Sequence, residues 1–84
     1  MDLIELRNKI DEIDSELTKL FEERMKTAAL VGKYKQENNL PVFSAERENE
    51  VLSNVTAHIS EDLQTEIRAL YNTIFELSRS YQEK

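Results

Sequence analysis

The sequence predicts an all-α fold built from three helices. Only one glycine and one proline interrupt the 84 residues, and strong helix formers fill the intervals between them. Apolar residues recur at alternating steps of three and four in the N-terminal part and again in the C-terminal part, which is the repeat of a helix with one buried face. A chain of this length forms one domain, so we predict a single domain over residues 1–84.

The first predicted helix is very long. It begins near Asp2, whose side chain can cap the helix. Glu5, three residues later, can complete a capping box by accepting from the backbone N–H of Asp2. It runs to about Asn38, where the sequence Asn-Asn-Leu-Pro ends it at Pro41. Gly32 near its end could permit a kink, but close packing against a neighbour or the close approach of a ligand is the favoured role.

Two shorter helices follow. Ser44 is the predicted N-cap of the second helix, which ends around Ala57. Ser60, followed by two acidic residues, repeats this start signal for the third helix. The apolar stripe of the third helix starts at Leu63 and reaches towards Tyr81.

The length of the first helix predicts a dimer. About 35 residues make a rod of roughly 52 Å, whereas a compact domain of this size has a radius of gyration of only about 12 Å. The apolar stripe continues along nearly the whole rod, so the projecting part needs a cover. We therefore expect a second copy to supply it in an intertwined, symmetric homodimer.

Two cations occupy the apolar stripe of the first helix, at Arg24 and Lys35, with small Ala28 and modest Val31 between them. At about 100° per residue, these cations lie within roughly 20° of one face and about 16 Å apart. A charge on a core stripe needs an anionic partner. Either internal glutamates neutralise the two cations, or the cations bind a small molecule with more than one carboxylate or phosphate.

Further polar residues lie beside the apolar stripes of the later helices. Glu48 shares a face with apolar residues of the second helix, and Ser78 and Gln82 are four apart on the third. Each is open to two interpretations, namely a ligand contact or an ordinary hydrogen bond between helices. Arg7 lies about 260° around the first helix from Arg24, so only a dimer partner could bring it to the same face.

Composition excludes several classes of function. The chain has no cysteine, so it forms no disulfide and no thiolate metal site. Its net charge of −6 would repel a polyanion, which argues against nucleic acid as a partner. His58 has no second histidine or cysteine with which to hold a transition metal, and we expect it on a solvated helix or turn. No long apolar run or export signal occurs, so we expect a cytoplasmic protein that does not span a membrane. We also expect no bound metal or other cofactor.

The order and spacing of many residues resemble those of the all-helical chorismate mutase family. The residues that carry the resemblance are Leu6-Arg7, Ile10-Asp11, Asp14, Leu17, Leu20, Glu23-Arg24, Val31-Gly32-Lys33, Lys35, Pro41-Val42, Arg47-Glu48, Ser78 and Gln82. They cover nearly the whole chain without a large gap. The resemblance implies three helices in an intertwined dimer and the conversion of chorismate to prephenate, a step towards phenylalanine and tyrosine.

The resemblance also implies roles for individual residues. Arg24 would hold one carboxylate of the substrate dianion, and Arg7 of the other protomer would help to hold the dianion. Lys35 would bind a carboxylate and the ether oxygen, and Gln82 would donate to the same ether oxygen. With Glu48, the residues Arg24, Lys35 and Gln82 form the expected catalytic set.

The remaining positions would bind the substrate ring. Glu48 would accept a hydrogen bond from the ring hydroxyl, and the main chain of Arg47 would assist there. Ser78 would contact the ring carboxylate. Ser44 stands where many relatives have an aspartate, and its contribution would come from its backbone or from capping the helix.

The reaction implied by the resemblance fits the absence of a nucleophile and of a catalytic histidine. It is a concerted rearrangement within one molecule, so it needs no general acid or base. Two alternatives remain at this point. One is an isochorismate pyruvate-lyase, which uses a similar helical dimer and pocket, and the other is a catalytically silent dimerisation or regulatory module of an aromatic-pathway enzyme.

Overall fold

The fold is all-α, as predicted, and consists of three helices. A computed structural model describes residues 1–84. The chain forms α1 (Leu3–Glu37), α2 (Ala45–Thr56) and α3 (Gln64–Gln82), with a single 3₁₀ turn at Glu61–Leu63 directly before α3. There are no strands, and none of the helices is both long enough and apolar enough to span a membrane.

Both ends of α1 lie within one residue of their predicted positions. At the start, the backbone N–H of Glu5 donates to Asp2 Oδ1 at 2.9 Å, which confirms Asp2 as the N-cap. At the end, the chain turns back through Asn39, which has a φ of 55°, a left-handed conformation that asparagine tolerates. The N–H of Leu40 then donates to the carbonyl of Lys35 at 2.8 Å, so the turn is tied to the last turn of the helix.

The helix α1 continues through Gly32 without interruption. The longest dimension of the molecule is 54 Å, close to the ~52 Å of a straight helix of this length. Gly32 is buried, and a Cβ atom there would collide with the backbone of Gln82 on α3. Close packing is therefore confirmed as the role of this glycine, and a kink is wrong.

The starts of the two shorter helices differ in their chemistry. Ser44 is the N-cap of α2, as predicted, because its Oγ accepts from the N–H of Arg47 at 3.1 Å. Ser60 makes no side-chain capping hydrogen bond, and the predicted start of the third helix forms the 3₁₀ turn instead. The α-helix itself begins at Gln64, so this predicted boundary was wrong. His58 lies exposed in the preceding turn, as expected.

The third helix holds the fold together. It packs against both α1 and α2, whereas α1 and α2 do not approach each other closely. The buried side chains are few and lie along this contact: Met25, Ala28, Thr56, Phe75 and Ser78. The arrangement leaves a cleft between α1 and α2 with α3 as its floor.

The N-terminal half of α1 has no cover within the chain. Its apolar stripe exposes between 43% and 61% of each residue, at Leu3, Leu6, Ile10, Ile13, Leu17 and Leu20. The Cα radius of gyration is 15.8 Å, well above the roughly 12 Å of a compact chain of this length. The predicted rod therefore projects from the bundle, with its apolar face open to solvent.

Candidate active site

A cavity of about 490 Å³ fills the cleft between α1 and α2. Seven of the predicted site residues line it, and these are Arg24, Lys35, Ser44, Arg47, Glu48, Ser78 and Gln82. Its apolar wall includes Ala28, Val31 and Phe75. Helical spacing predicted that Arg24 and Lys35 share one face of α1, and it placed Ser78 and Gln82 together on α3. That these residues would line one cavity with residues of α2 was expected from the family resemblance and not from the spacing.

The cavity is positively charged in a negatively charged protein. Four cationic side chains line it, Arg24, Lys35, Arg47 and Arg79, against only two carboxylates, Glu23 and Glu48. The whole chain carries a net charge of −6. Anionic ligands are therefore repelled by most of the surface and attracted by this cleft.

Arg24 reaches across from α1 to α3. Its Nη1 donates to Ser78 Oγ, and its guanidinium carbon lies 6.0 Å from the centre of the Tyr71 ring. Ser78 is only 6% exposed, so its hydroxyl is held in one place by the packing of α3. The pair presents a cation and a hydroxyl at the same point of the cavity wall.

Lys35 and Gln82 meet at the other end of the same wall. Lys35 Nζ donates to the carbonyl of Val42 at 2.6 Å and to Gln82 Oε1 at 2.8 Å. An ammonium has three donors, so one N–H remains for a ligand. Because the amide oxygen of Gln82 accepts from Lys35, its NH₂ group is free to donate as well.

Gly32 allows this meeting. A Cβ at this position would lie 2.7 Å from the carbonyl carbon of Gln82, which no side chain tolerates. The absent side chain lets α3 approach α1 at the one turn that brings Gln82 next to Lys35. The glycine therefore sets the distance between the two donors.

Glu48 lies on the α2 side of the cavity and forms an ion pair that the sequence did not predict. Its Oε2 accepts from Arg79 Nη1, and the two side chains are 23% and 31% exposed. Arg79 was missed because it lies on the flank of α3, about 60° away from Gln82. Only the position of α2 brings Glu48 to it, and periodicity along one helix carries no such information.

Two predicted residues contribute differently from the others. Ser44 uses its hydroxyl to cap α2, so the N–H of Arg47 is already engaged. The side chain of Arg47 is 64% exposed and pairs with Glu50. Both residues line the rim of the cavity on the α2 side.

Arg7 does not line the cavity of its own chain. It lies seventeen positions before Arg24 on the same helix, which corresponds to about 25 Å along the axis. It is exposed on the projecting half of α1. One protomer alone therefore leaves this residue outside the cavity.

Comparison with known proteins identifies a family for this arrangement. The sequence profile described as chorismate mutase type II matches residues 6–83. The chain is 43% identical over 54 residues to a bifunctional chorismate mutase/prephenate dehydratase of Aquifex aeolicus, a match that covers 64% of this chain and 15% of that protein. It is 44% identical over 46 residues to the T-protein of Haemophilus influenzae, covering 55% of this chain and 12% of that protein.

A solved structure shows the same fold. A conserved hypothetical protein from Pyrococcus furiosus superposes with a TM-score of 0.80 at 35% identity, over 95% of this chain and 93% of that one. The chain spans less than a fifth of the length of the two curated relatives, from Aquifex aeolicus and Haemophilus influenzae. Because the family profile covers nearly every residue from α1 to the end of α3, this chain belongs to the chorismate mutase type II family.

Proposed function

We propose that this chain converts chorismate to prephenate by a concerted rearrangement. The observation that carries the proposal is the positively charged cavity in which Arg24, Lys35, Gln82 and Glu48 converge from three helices. Family membership and the similarity to a bifunctional chorismate mutase/prephenate dehydratase support it. No cofactor is needed, because the reaction only redistributes bonds within one molecule.

The first task of the site is to hold the dianion in a folded shape. Arg24 binds one carboxylate, and Ser78, which already accepts from Arg24, contacts the ring carboxylate. A cation and a hydroxyl fixed at one point of the wall restrain two parts of a flexible substrate. Such restraint supplies a large part of the rate of a unimolecular rearrangement.

The second task is to stabilise charge on the ether oxygen while its bond to carbon breaks. Lys35 and Gln82 supply the donors. Their mutual hydrogen bond of 2.8 Å engages the amide oxygen of Gln82 and leaves its NH₂ group free to donate to the ether oxygen. Donors that are oriented before the reaction stabilise the transition state more than donors that must turn, and one such donor contributes roughly 3 kcal/mol.

The α2 side of the cavity orients the ring. Glu48 accepts from the ring hydroxyl, while Ser44 and Arg47 form the adjacent rim. Because this hydroxyl takes no part in bond breaking, its contacts act mainly on binding and orientation.

The active unit that we propose is a homodimer in which Arg7 of each protomer completes the cavity of the other. The support is the uncovered apolar stripe of α1, together with a radius of gyration of 15.8 Å. An antiparallel second copy of α1 would cover both stripes at once by two-fold symmetry. It would also carry Arg7, which lies on the projecting half, towards the partner's cavity.

The test is a rate measurement with purified protein. Loss of chorismate absorbance, with prephenate identified as the product, is the expected result. Isochorismate serves as the second substrate, and release of pyruvate from it in place of prephenate formation from chorismate would assign the lyase reaction instead. A folded protein that consumes neither compound would contradict the proposal and favour the alternative of a catalytically silent dimerisation or regulatory module.

A further inference from the structure

Arg79 is the one cation of the cavity wall that the proposed reaction leaves without a role. It lies on α3 between Ser78 and Gln82, with its side chain 31% exposed. Its Nη1 donates to Glu48 Oε2, and its guanidinium carbon lies 5.3 Å from the centre of the Phe43 ring. The guanidinium is therefore held by α2 on one side and by the segment before α2 on the other.

The ion pair constrains Glu48 without using all of its acceptors. A carboxylate has two oxygens with about four acceptor positions, and Arg79 occupies only Oε2. The other oxygen makes no hydrogen bond or ion pair within the chain, and Glu48 is one of the residues that line the cavity. An isolated glutamate here could rotate away or pair with another cation of the cleft, whereas the bonded one stays in place.

The charge of Arg79 has a second consequence. A dianionic substrate next to an uncompensated carboxylate would be repelled, and this repulsion is large in a partly buried site. Arg79 neutralises Glu48 and leaves Arg24 and Lys35 to attract the substrate. This partly buried carboxylate can then accept a hydrogen bond without lowering the affinity for an anion.

We infer that Arg79 is a positioning residue, which holds and neutralises Glu48 so that its free oxygen accepts the ring hydroxyl of the substrate. The inference rests on the proposed function. Arg79 acts through Glu48 and makes no contact of its own with the reacting atoms. The planar guanidinium suits both of its contacts, because it pairs with a carboxylate and stacks on an aromatic ring at the same time.

The experiment compares steady-state kinetics of Arg79→Met, Arg79→Lys, Glu48→Gln and the double variant. Arg68→Met is the matched control, since Arg68 is an exposed arginine on the same helix with no ion pair. We expect Arg79→Met to raise KM about tenfold, the lower range for a hydrogen bond to a charged group, and to change kcat much less. Arg79→Lys keeps the charge and should restore part of the loss, and Arg68→Met should match the parent.

The double variant separates positioning from direct contact. If Arg79 acts through Glu48, adding Arg79→Met to Glu48→Gln should change KM by less than about twofold. A tenfold effect that persists in the Glu48→Gln background would overturn the inference, as would an Arg79→Met variant that matches Arg68→Met. Thermal melts accompany the rates, and Arg79→Lys in both backgrounds provides the same comparison if the methionine variant does not fold.

The parent protein distinguishes this inference from the function on which it rests. A parent without turnover of chorismate contradicts the proposed function and the role of Arg79 together. A fully active parent whose Arg79 variants behave like the Arg68 control contradicts the role of Arg79 alone.

Discussion

Replacing Gly32 by alanine should separate activity from stability. The added Cβ would lie 2.5 Å from the Cα of Gln82, whereas ordinary contact begins at 3.4 Å. The carbonyl oxygen of Gln82 would lie closer still, so the end of α3 must withdraw from α1 by at least about 0.9 Å. The contact is with backbone and cannot be relieved by a rotamer change. This movement carries the amide of Gln82 away from Lys35.

The two effects differ in size. Overpacking costs roughly 1–3 kcal/mol, but alanine gains about 1 kcal/mol over glycine inside a helix, and Gln82 is the last residue of α3 and can shift. We expect a net loss of about 1 kcal/mol, or roughly 4–8 °C in Tm for a chain of this size. Displacing a reacting group by about 1 Å can cost a hundredfold in rate, and we expect a fall in kcat of that order.

The assay is the initial rate of chorismate consumption, measured beside thermal melts at one protein concentration. Lys33→Ala is the control, because Lys33 is the exposed neighbour of Gly32 on α1. A Gly32→Ala variant with kcat/KM within about twofold of the parent would refute the argument that this glycine sets the distance between the two donors.

Three further predictions test the site and the assembly. The protein should sediment near twice its 9.9 kDa chain mass at micromolar concentration. Mixing inactive Arg7→Ala chains with inactive Arg24→Ala chains should restore one working site per heterodimer. A folded monomer, or a mixture without activity, would contradict the contribution of Arg7 in trans. Arg24→Met and Lys35→Met should abolish most activity and change the free energy of unfolding by only about 1 kcal/mol per lost hydrogen bond. Variants that are strongly destabilised but whose remaining folded fraction keeps its activity would instead show that the two cations are structural. Gln82→Glu should be slow at pH 8, where the ionised carboxylate pairs with Lys35 and repels the ether oxygen, and should recover towards pH 5 as the group becomes a donor; a flat pH–rate profile would remove Gln82 from the reacting centre.

Local chemistry explains what could be predicted from the sequence. The caps at Asp2 and Ser44 and the stop before Pro41 use only side chains within three or four residues of the helix end, so their signals are complete in the sequence. The shared face of Arg24 and Lys35 follows from the helical repeat alone. The length of α1 was predictable because its start signal at Asp2 and its stop before Pro41 are both local.

Tertiary approach explains what could not be predicted. The partnership of Arg79 with Glu48 depends on where α2 crosses α3, and the choice between a kink and close packing at Gly32 depends on a backbone fifty residues later in the chain. The start signal at Ser60 was wrong because the same residue types also favour a 3₁₀ turn. Residue roles towards chorismate came from the family resemblance, since periodicity identifies a cationic face but no ligand.

The open apolar half of α1 makes folding a matter of protein concentration under the proposed assembly. Two chains must associate before either stripe is covered, so the equilibrium is second order in chain concentration. Each tenfold dilution then lowers the free energy of unfolding by about 1.4 kcal/mol per dimer. A substitution in that stripe, such as Leu17→Asp, should leave a concentrated sample active and silence a dilute one, although Leu17 does not line the cavity. The abundance of the chain thus becomes one of the variables that determine its catalytic rate per molecule.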